Sequence, residues 1–389
     1  MMGSLNEPAA AKERIDAKAL HQDALVFDAH ADTALRIRDL RYELGRRHRS
    51  RHIDIPRMRE GGVDVQGFAL WVNPKKYPGP KGMERALALL ESVQQQIEKN
   101  PGDLAMVRTA AEARSVVGRG KIGIFIGLEG GHAIDSRIEN LGRLYDLGVR
   151  YVTLTWMNTN DWADSSDDDA KWGGLNELGE RIVREMNRLG MLIDLSHSSD
   201  DTVRDVLAIS EDPVILSHSG SRALCNIPRN ISDELLQDVA RRGGVVGVNY
   251  YYGYLSEEYA QARKIKKEEY REKEQAIRAE YGPDSREARK RIAQIRKEHH
   301  KDVDRLSNDR ADFRMIVDHI DHFVRVAGID HVGLGSDFDG ISLLPEGLRD
   351  VSDVGKITEE LVRRGYSQEE IRKILGENFM RVFQQVCGE

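Results

Sequence analysis

Short apolar runs recur along the chain, and most are followed by a stretch with helical spacing. The runs cover residues 24–27, 63–72, 122–128, 151–155, 192–195, 214–216, 245–249 and 332–334, eight in all. Several are apolar at successive positions, as strands covered on both faces of a parallel sheet must be. Between them, 82–99, 140–147, 176–189, 200–209 and 232–241 carry apolar residues at helical intervals. Eight strands alternating with helices predict an α/β protein, a (β/α)8 TIM-like barrel. A doubly wound open sheet is the alternative, but no GxGxxG follows the first strand.

One segment breaks the alternation. Residues 257–309 have almost no strand signal and are dense in Lys, Arg and Glu, which predicts two charged helices joined at YGPDS (281–285). The second helix repeats apolar or neutral residues at Ala288, Ile292, Ile295, His299, Val303 and Leu306, a narrow coiled-coil-like seam. The segment reads as a helical hairpin inserted between barrel strands seven and eight, within a single domain spanning 1–389. From 255 to 310 there are 16 basic and 13 acidic residues, a near balance that favours a solvated hairpin over a nucleic-acid arm. Its seam packs on itself or on a second subunit.

Bulk properties narrow the class. The chain has 389 residues, 40% of them hydrophobic, enough to bury a sizeable core. A net charge of -7 and a pI near 6.0 argue against nucleic-acid binding. An acid-preferring site in so negative a protein would need local cations. No apolar run approaches the ~20 residues of a membrane span. Cys225 and Cys387 are too few for a disulfide framework or a thiolate metal site. The N-terminal stretch lacks an apolar signal core, so a cytoplasmic location is expected.

In a barrel enzyme, chemistry sits at the C-terminal ends of the strands. His30 and Asp32 follow the first strand in VFDAHADTAL. Glu129 ends the third, Trp156 follows the fourth, His197 the fifth and His218 the sixth, and Asp337 and Asp339 follow the eighth. Singly, each has an ordinary explanation: a loop histidine, a helix cap, a turn aspartate. Together they are harder to explain, because buried charges must be paired or metal-bound. Imidazole with carboxylate and no thiolate suits Zn2+ or another borderline divalent ion. The groups are too many for one catalytic site with three protein ligands, so two metals sharing a bridging carboxylate fit better. The acidic run DSSDDD (164–169) lacks the glycine of an EF-hand loop and reads as a solvated loop.

The motifs DAHADT, GLEGGHAI, RYVTLT with WAD downstream, DLSHSS, SHSGSRAL, IPRNISDE and GLGSDFDG resemble those of the membrane (renal) dipeptidases, peptidase family M19 of the amidohydrolase superfamily. They fall in the family's order over nearly the whole chain outside the hairpin. The resemblance implies a binuclear zinc dipeptidase that hydrolyses L,L and L,D dipeptides through a bridging hydroxide. His30 and Asp32 would hold one metal, His197 and His218 the other, and Glu129 would bridge them. Asp337 looks like the catalytic acid–base beside that hydroxide. Arg229 matches the arginine that binds the substrate's free carboxylate, and Tyr254 the tyrosine beside it. The resemblance also implies a homodimer.

One position departs from the family pattern. After TLT the family carries a histidine that touches the substrate carbonyl oxygen, and here Trp156 stands instead. An indole N–H donates one hydrogen bond and has no cationic form. Asn158 or Asn160 substitutes as donor, or the metal alone polarises the carbonyl, or Trp156 simply walls the pocket. Asp339 reads as a supporting or turn residue. Asp194, three residues before His197, either orients a ligand or makes a plain strand-end hydrogen bond. Two rival functions remain: another amidohydrolase reaction, such as N-acyl amino acid deacylation, and a non-catalytic barrel acting through its hairpin.

Overall fold

The computed structural model describes residues 15–306 and 310–388, so 1–14, 389 and 307–309, the end of the expected hairpin, lie outside the described residues. Among the described residues there are nine strands: β1 (Phe27–Asp28), β2 (Val65–Trp71), β3 (Leu104–Met106), β4 (Ile122–Glu129), β5 (Val149–Thr153), β6 (Leu192–Asp194), β7 (Ile215–Ser219), β8 (Val245–Val248) and β9 (Val332–Leu334). All pair in parallel. Pairing of β2 with β4 and of β1 with both β2 and β9 closes eight of them into a barrel. These eight are the apolar runs of the sequence. β3 is an addition, paired only with the first residues of β4. Leu104 is buried while Ala105 and Met106 are only half-buried, and the sequence pattern did not single this strand out.

Local chemistry sets the helix ends. Asn176 caps the helix Glu177–Leu189 by accepting the N–H groups of Leu178 and Gly179, and Gly190 ends it with φ +71°. Ser199 caps Asp200–Ile209 immediately after the DLSH turn, and Ser232 caps Asp233–Arg241.

The opposite end of the barrel is closed by packing. Phe27, Phe125, Tyr151, Leu192, Ile215 and Val245 form one buried cluster with Phe379 and Phe383 of the C-terminal helix Asn378–Cys387. Phe27 stacks on Phe379 at 5.5 Å, and Phe125 meets Phe383 edge-on at 5.0 Å. A second, larger cluster joins the outer faces of the strands to the surrounding helices.

Between β8 and β9 the chain forms the helices Glu257–Tyr281 and Arg286–Leu306, which pack along each other. Ala288 and Ile292 of the sequence-read seam are buried, and Tyr270 stacks on His299 at 5.1 Å. Among the described residues no helix is long and apolar enough to cross a membrane. Both cysteines are buried and free.

Candidate metal centre and active site

His30, Glu129, His197 and His218 meet at the mouth of the barrel, and all four are buried. Glu129 Oε1 lies 3.2 Å from His197 Nε2 and 3.7 Å from His218 Nε2, and those two nitrogens are 3.1 Å apart. Donors of a tetrahedral site with bonds of about 2.1 Å are separated by about 3.4 Å. The other carboxylate oxygen, Glu129 Oε2, lies 3.5 Å from His30 Nε2. Atoms of His30, Asp32 and Asp337 gather within 4.8 Å of one another beside it. The two oxygens of Glu129 thus look toward different histidines, while His30, Glu129 and His218 also gather within 4.8 Å and the His30 and His218 rings stack at 3.8 Å, so the two donor sets adjoin.

Several of these atoms are buried without a hydrogen-bond partner: His30 Nε2, Asp32 Oδ1 and Glu129 Oε2. Native proteins seldom leave such atoms unpaired. Burial pushes the Glu129 carboxyl up to about 8 and the Asp337 carboxyl up to about 6. Burial, reinforced by the charge of Glu129, raises Asp32 well above the usual carboxylate range. Burial also lowers His197 and His218 well below the ordinary imidazole value, which leaves them neutral. Neutral imidazoles facing crowded, desolvated carboxylates are the donor set that divalent cations stabilise. The residues present therefore fit a metal centre.

The ligand-like side chains are held from behind. Tyr151 Oη lies 3.1 Å from His30 Nδ1. Ser217 Oγ lies 2.7 Å from His218 Nδ1 and donates to Asp194 Oδ2 at 2.6 Å, and Thr153 donates to the same oxygen. Asp194 Oδ1 accepts the N–H groups of Ser196 and Ser217. Asp194 thus supports His218 through Ser217, rather than His197, its neighbour in sequence. Asp337 Oδ2 accepts a hydrogen bond from Asn249 Nδ2 at 3.0 Å. His197 and Asp337 adopt left-handed backbone, φ +69° and +58°. Asp tolerates this region; for His197 it is local strain of the kind concentrated at functional sites. Tyr151, Ser217 and Asn249 carried no signal in the sequence reading.

The remaining predicted residues take definite places. Arg229 is buried, donating from Nη1 to Ser219 Oγ at 3.0 Å and from Nη2 to the His218 carbonyl at 2.8 Å, while its Nε has no partner. Its guanidinium lies 5.2 Å from the centre of the Tyr254 ring. Asn230 ties the two segments together by donating to the Tyr254 carbonyl. Trp156 meets Trp71 edge-on at 4.8 Å. It helps line a pocket of about 170 Å³ together with Asp32, Glu129, His197, Tyr254 and Asp337. Asp339 accepts from Thr33 and the His52 N–H, a supporting place outside the cluster.

Two expectations need correction. Asn160 is not available as a carbonyl donor: its Nδ2 donates to the Leu154 carbonyl, and its Oδ1 accepts the N–H groups of Trp162 and Ala163. Nor is 164–169 solvated throughout. Asp164 is fully buried and accepts the N–H groups of Lys171, Trp172, Gly173 and Gly174. Burial would raise its carboxyl, but these donors outweigh that and hold it below the usual value. Only 167–169 are exposed.

A parallel eight-stranded barrel with a histidine–carboxylate cluster at its mouth defines the class of metal-dependent barrel hydrolases. The chain belongs to the membrane dipeptidase family, peptidase family M19, whose model matches residues 14–388. Among solved structures it is similar to the probable dipeptidase PvdM of Pseudomonas aeruginosa, at 26% identity over 95% of this chain and 97% of that one, with a TM-score of 0.80. It is also similar to the M19 metallopeptidase dipeptidase AC, at 26% identity over 94% and 99% of the two chains, TM-score 0.74. A third similar structure is a metallopeptidase of Rhodobacter sphaeroides liganded with a phosphinate mimic of the dipeptide L-Ala-D-Ala. It is 25% identical over 93% and 99% of the two chains, with a TM-score of 0.74.

Proposed function

We propose that this chain is a binuclear zinc dipeptidase acting on L,L and L,D dipeptides. The observation that carries the reading is the split of Glu129, with one oxygen toward His197 and His218 and the other toward His30. In this reading His30 and Asp32 would hold one ion, His197 and His218 the other, and Glu129 would be shared between them. Bound there, the ions would lower the pKa of a shared water and polarise the scissile carbonyl.

The chain's own residues do the rest. Asn249 occupies Asp337 Oδ2, which leaves Oδ1 to take the proton of the attacking water and return it to the leaving amine. An acid near 6 is suited to both transfers at neutral pH. Arg229, fixed against the His218 carbonyl, holds the substrate's free carboxylate in a charge-assisted pair, and Tyr254 covers its face. Such an anchor selects substrates whose carboxylate lies one residue beyond the cleaved bond, namely dipeptides. With Asn160 committed elsewhere, Trp156 is read as a wall, and either Asn158, whose Nδ2 makes only a 3.5 Å contact with the Thr159 carbonyl, or the metal alone polarises the scissile carbonyl. Residues 257–309 are read as a hairpin inserted between the seventh and eighth barrel strands.

The test is a screen of L,L and L,D dipeptides alongside N-acyl amino acids, on zinc-loaded protein. Dipeptide turnover supports the proposal. Turnover of N-acyl amino acids alone transfers the same site to a deacylase, and turnover of neither class overturns the enzymatic reading.

A further inference from the structure

A larger groove, of about 580 Å³, opens beside the metal-site pocket, and Tyr254 and Arg263 line both. Arg229 lines the groove as well. Its outer wall is the helix Glu257–Tyr281, which presents Arg263 together with Lys264, Lys267 and Arg271, the last three spaced three and four apart along one stripe. None of these four forms an ion pair among the described residues. Two acidic residues share the lining, Asp167 and Glu274, and Glu274 is already paired with Arg278 at 2.6 Å. A protein of net charge -7 therefore concentrates positive charge at one opening of its site, only partly offset by Asp167, whose carboxylate feels Arg229, Lys267 and Arg263.

We propose that this groove is a subsite for an anionic side chain on the C-terminal residue of the substrate, so that dipeptides ending in Asp or Glu are preferred. The proposal rests on the dipeptidase reading. If Arg229 holds the C-terminal carboxylate, the side chain of that same residue lies nearest the groove, and a second carboxylate reaches the stripe of cations. The local field, rather than the protein's net charge, draws the anion in.

The experiment compares kcat/KM for Ala-Glu with its neutral isostere Ala-Gln, in L,L and L,D forms, with Ala-Ala as reference. Glu-Ala and Gln-Ala serve as controls for the N-terminal side. Expected is a preference for Ala-Glu over Ala-Gln of about tenfold at low salt, shrinking as ionic strength rises. The triple variant Lys264→Gln, Lys267→Gln, Arg271→Gln should abolish that preference and leave Ala-Ala turnover within about twofold. Calorimetric binding of free glutamate against glutamine should show the same loss without any turnover. Equal rates for Ala-Glu and Ala-Gln with normal Ala-Ala hydrolysis overturn the subsite alone, as does a preference that survives in the triple variant. A larger preference for Glu-Ala over Gln-Ala assigns the groove to the other residue and also overturns it. Failure to hydrolyse any of the five overturns the dipeptidase reading itself.

Discussion

His30 is gripped on one side and open on the other. Its Nδ1 faces the Tyr151 hydroxyl, while its buried Nε2 has no hydrogen-bond partner and points at Glu129 across 3.5 Å. That asymmetry is the usual arrangement of a metal-ligating imidazole, whose second nitrogen fixes tautomer and orientation. In His30→Ala, zinc content should fall by about one equivalent, and dipeptide hydrolysis should fall by a factor on the order of 10³. The far-UV circular dichroism should stay unchanged, because the barrel's packing lies elsewhere. Metal analysis and steady-state kinetics check this, and a fully metallated, active variant would refute the assignment. His30 was legible in the sequence because HxD follows an apolar run. Trp156 was legible only as a departure, and its packing on Trp71 needed coordinates.

At the scale of elements, each strand does two jobs. β4 carries Glu129 at its end and Gly127 two residues earlier, on the same side. A Cβ at Gly127 would lie 1.9 Å from the Tyr151 ring carbon, so glycine makes the space that lets Tyr151 cross to His30. Gly127→Ala should force the ring aside. We expect a loss of about 1–3 kcal/mol in urea denaturation, as for overpacked cores, and a parallel fall in kcat through a misplaced His30. Unchanged stability and kcat would show that the ring has room to move. The strand ends were readable because apolar runs stop where polar motifs begin. Tyr151, Ser217 and Asn249 were not, because their value depends on which interior positions of neighbouring strands face each other.

For the whole molecule, pH links distant parts through buried histidines. His319 in the helix Arg314–Ala327 accepts the Ser221 N–H at Nδ1, and its Nε2 lies 3.2 Å from the Leu255 carbonyl. Burial, only partly offset by the Leu255 contact, lowers it to about 4 from 6.5. Its neutral form is the folded form. The contribution is complete above pH 6.5 and declines as pH falls, because the unfolded chain gains the proton first; by pH 4 roughly 3 kcal/mol is lost. His319→Asn keeps an acceptor for Ser221 but cannot titrate, so its Tm should fall less steeply between pH 7 and 5 than the parent's. Equal slopes would place the acid sensitivity in other groups.

The sequence by itself determined the barrel strands and the kinds of side chain at their ends, because both are local: an apolar run specifies a buried strand, and a polar motif specifies where it stops. It also displayed the family's motifs in order. Only the tertiary structure decided which atoms meet. Closing the ring brings His30, Glu129, His197 and His218 within a few ångströms of one another, and no local rule encodes that proximity across some 190 residues. It likewise decided that Asp164 is buried rather than solvated, that Asn160 is occupied, and that the cations of a balanced, charged helix line the groove beside the metal centre. Composition counts charges over a segment; the fold chooses which of them share one wall.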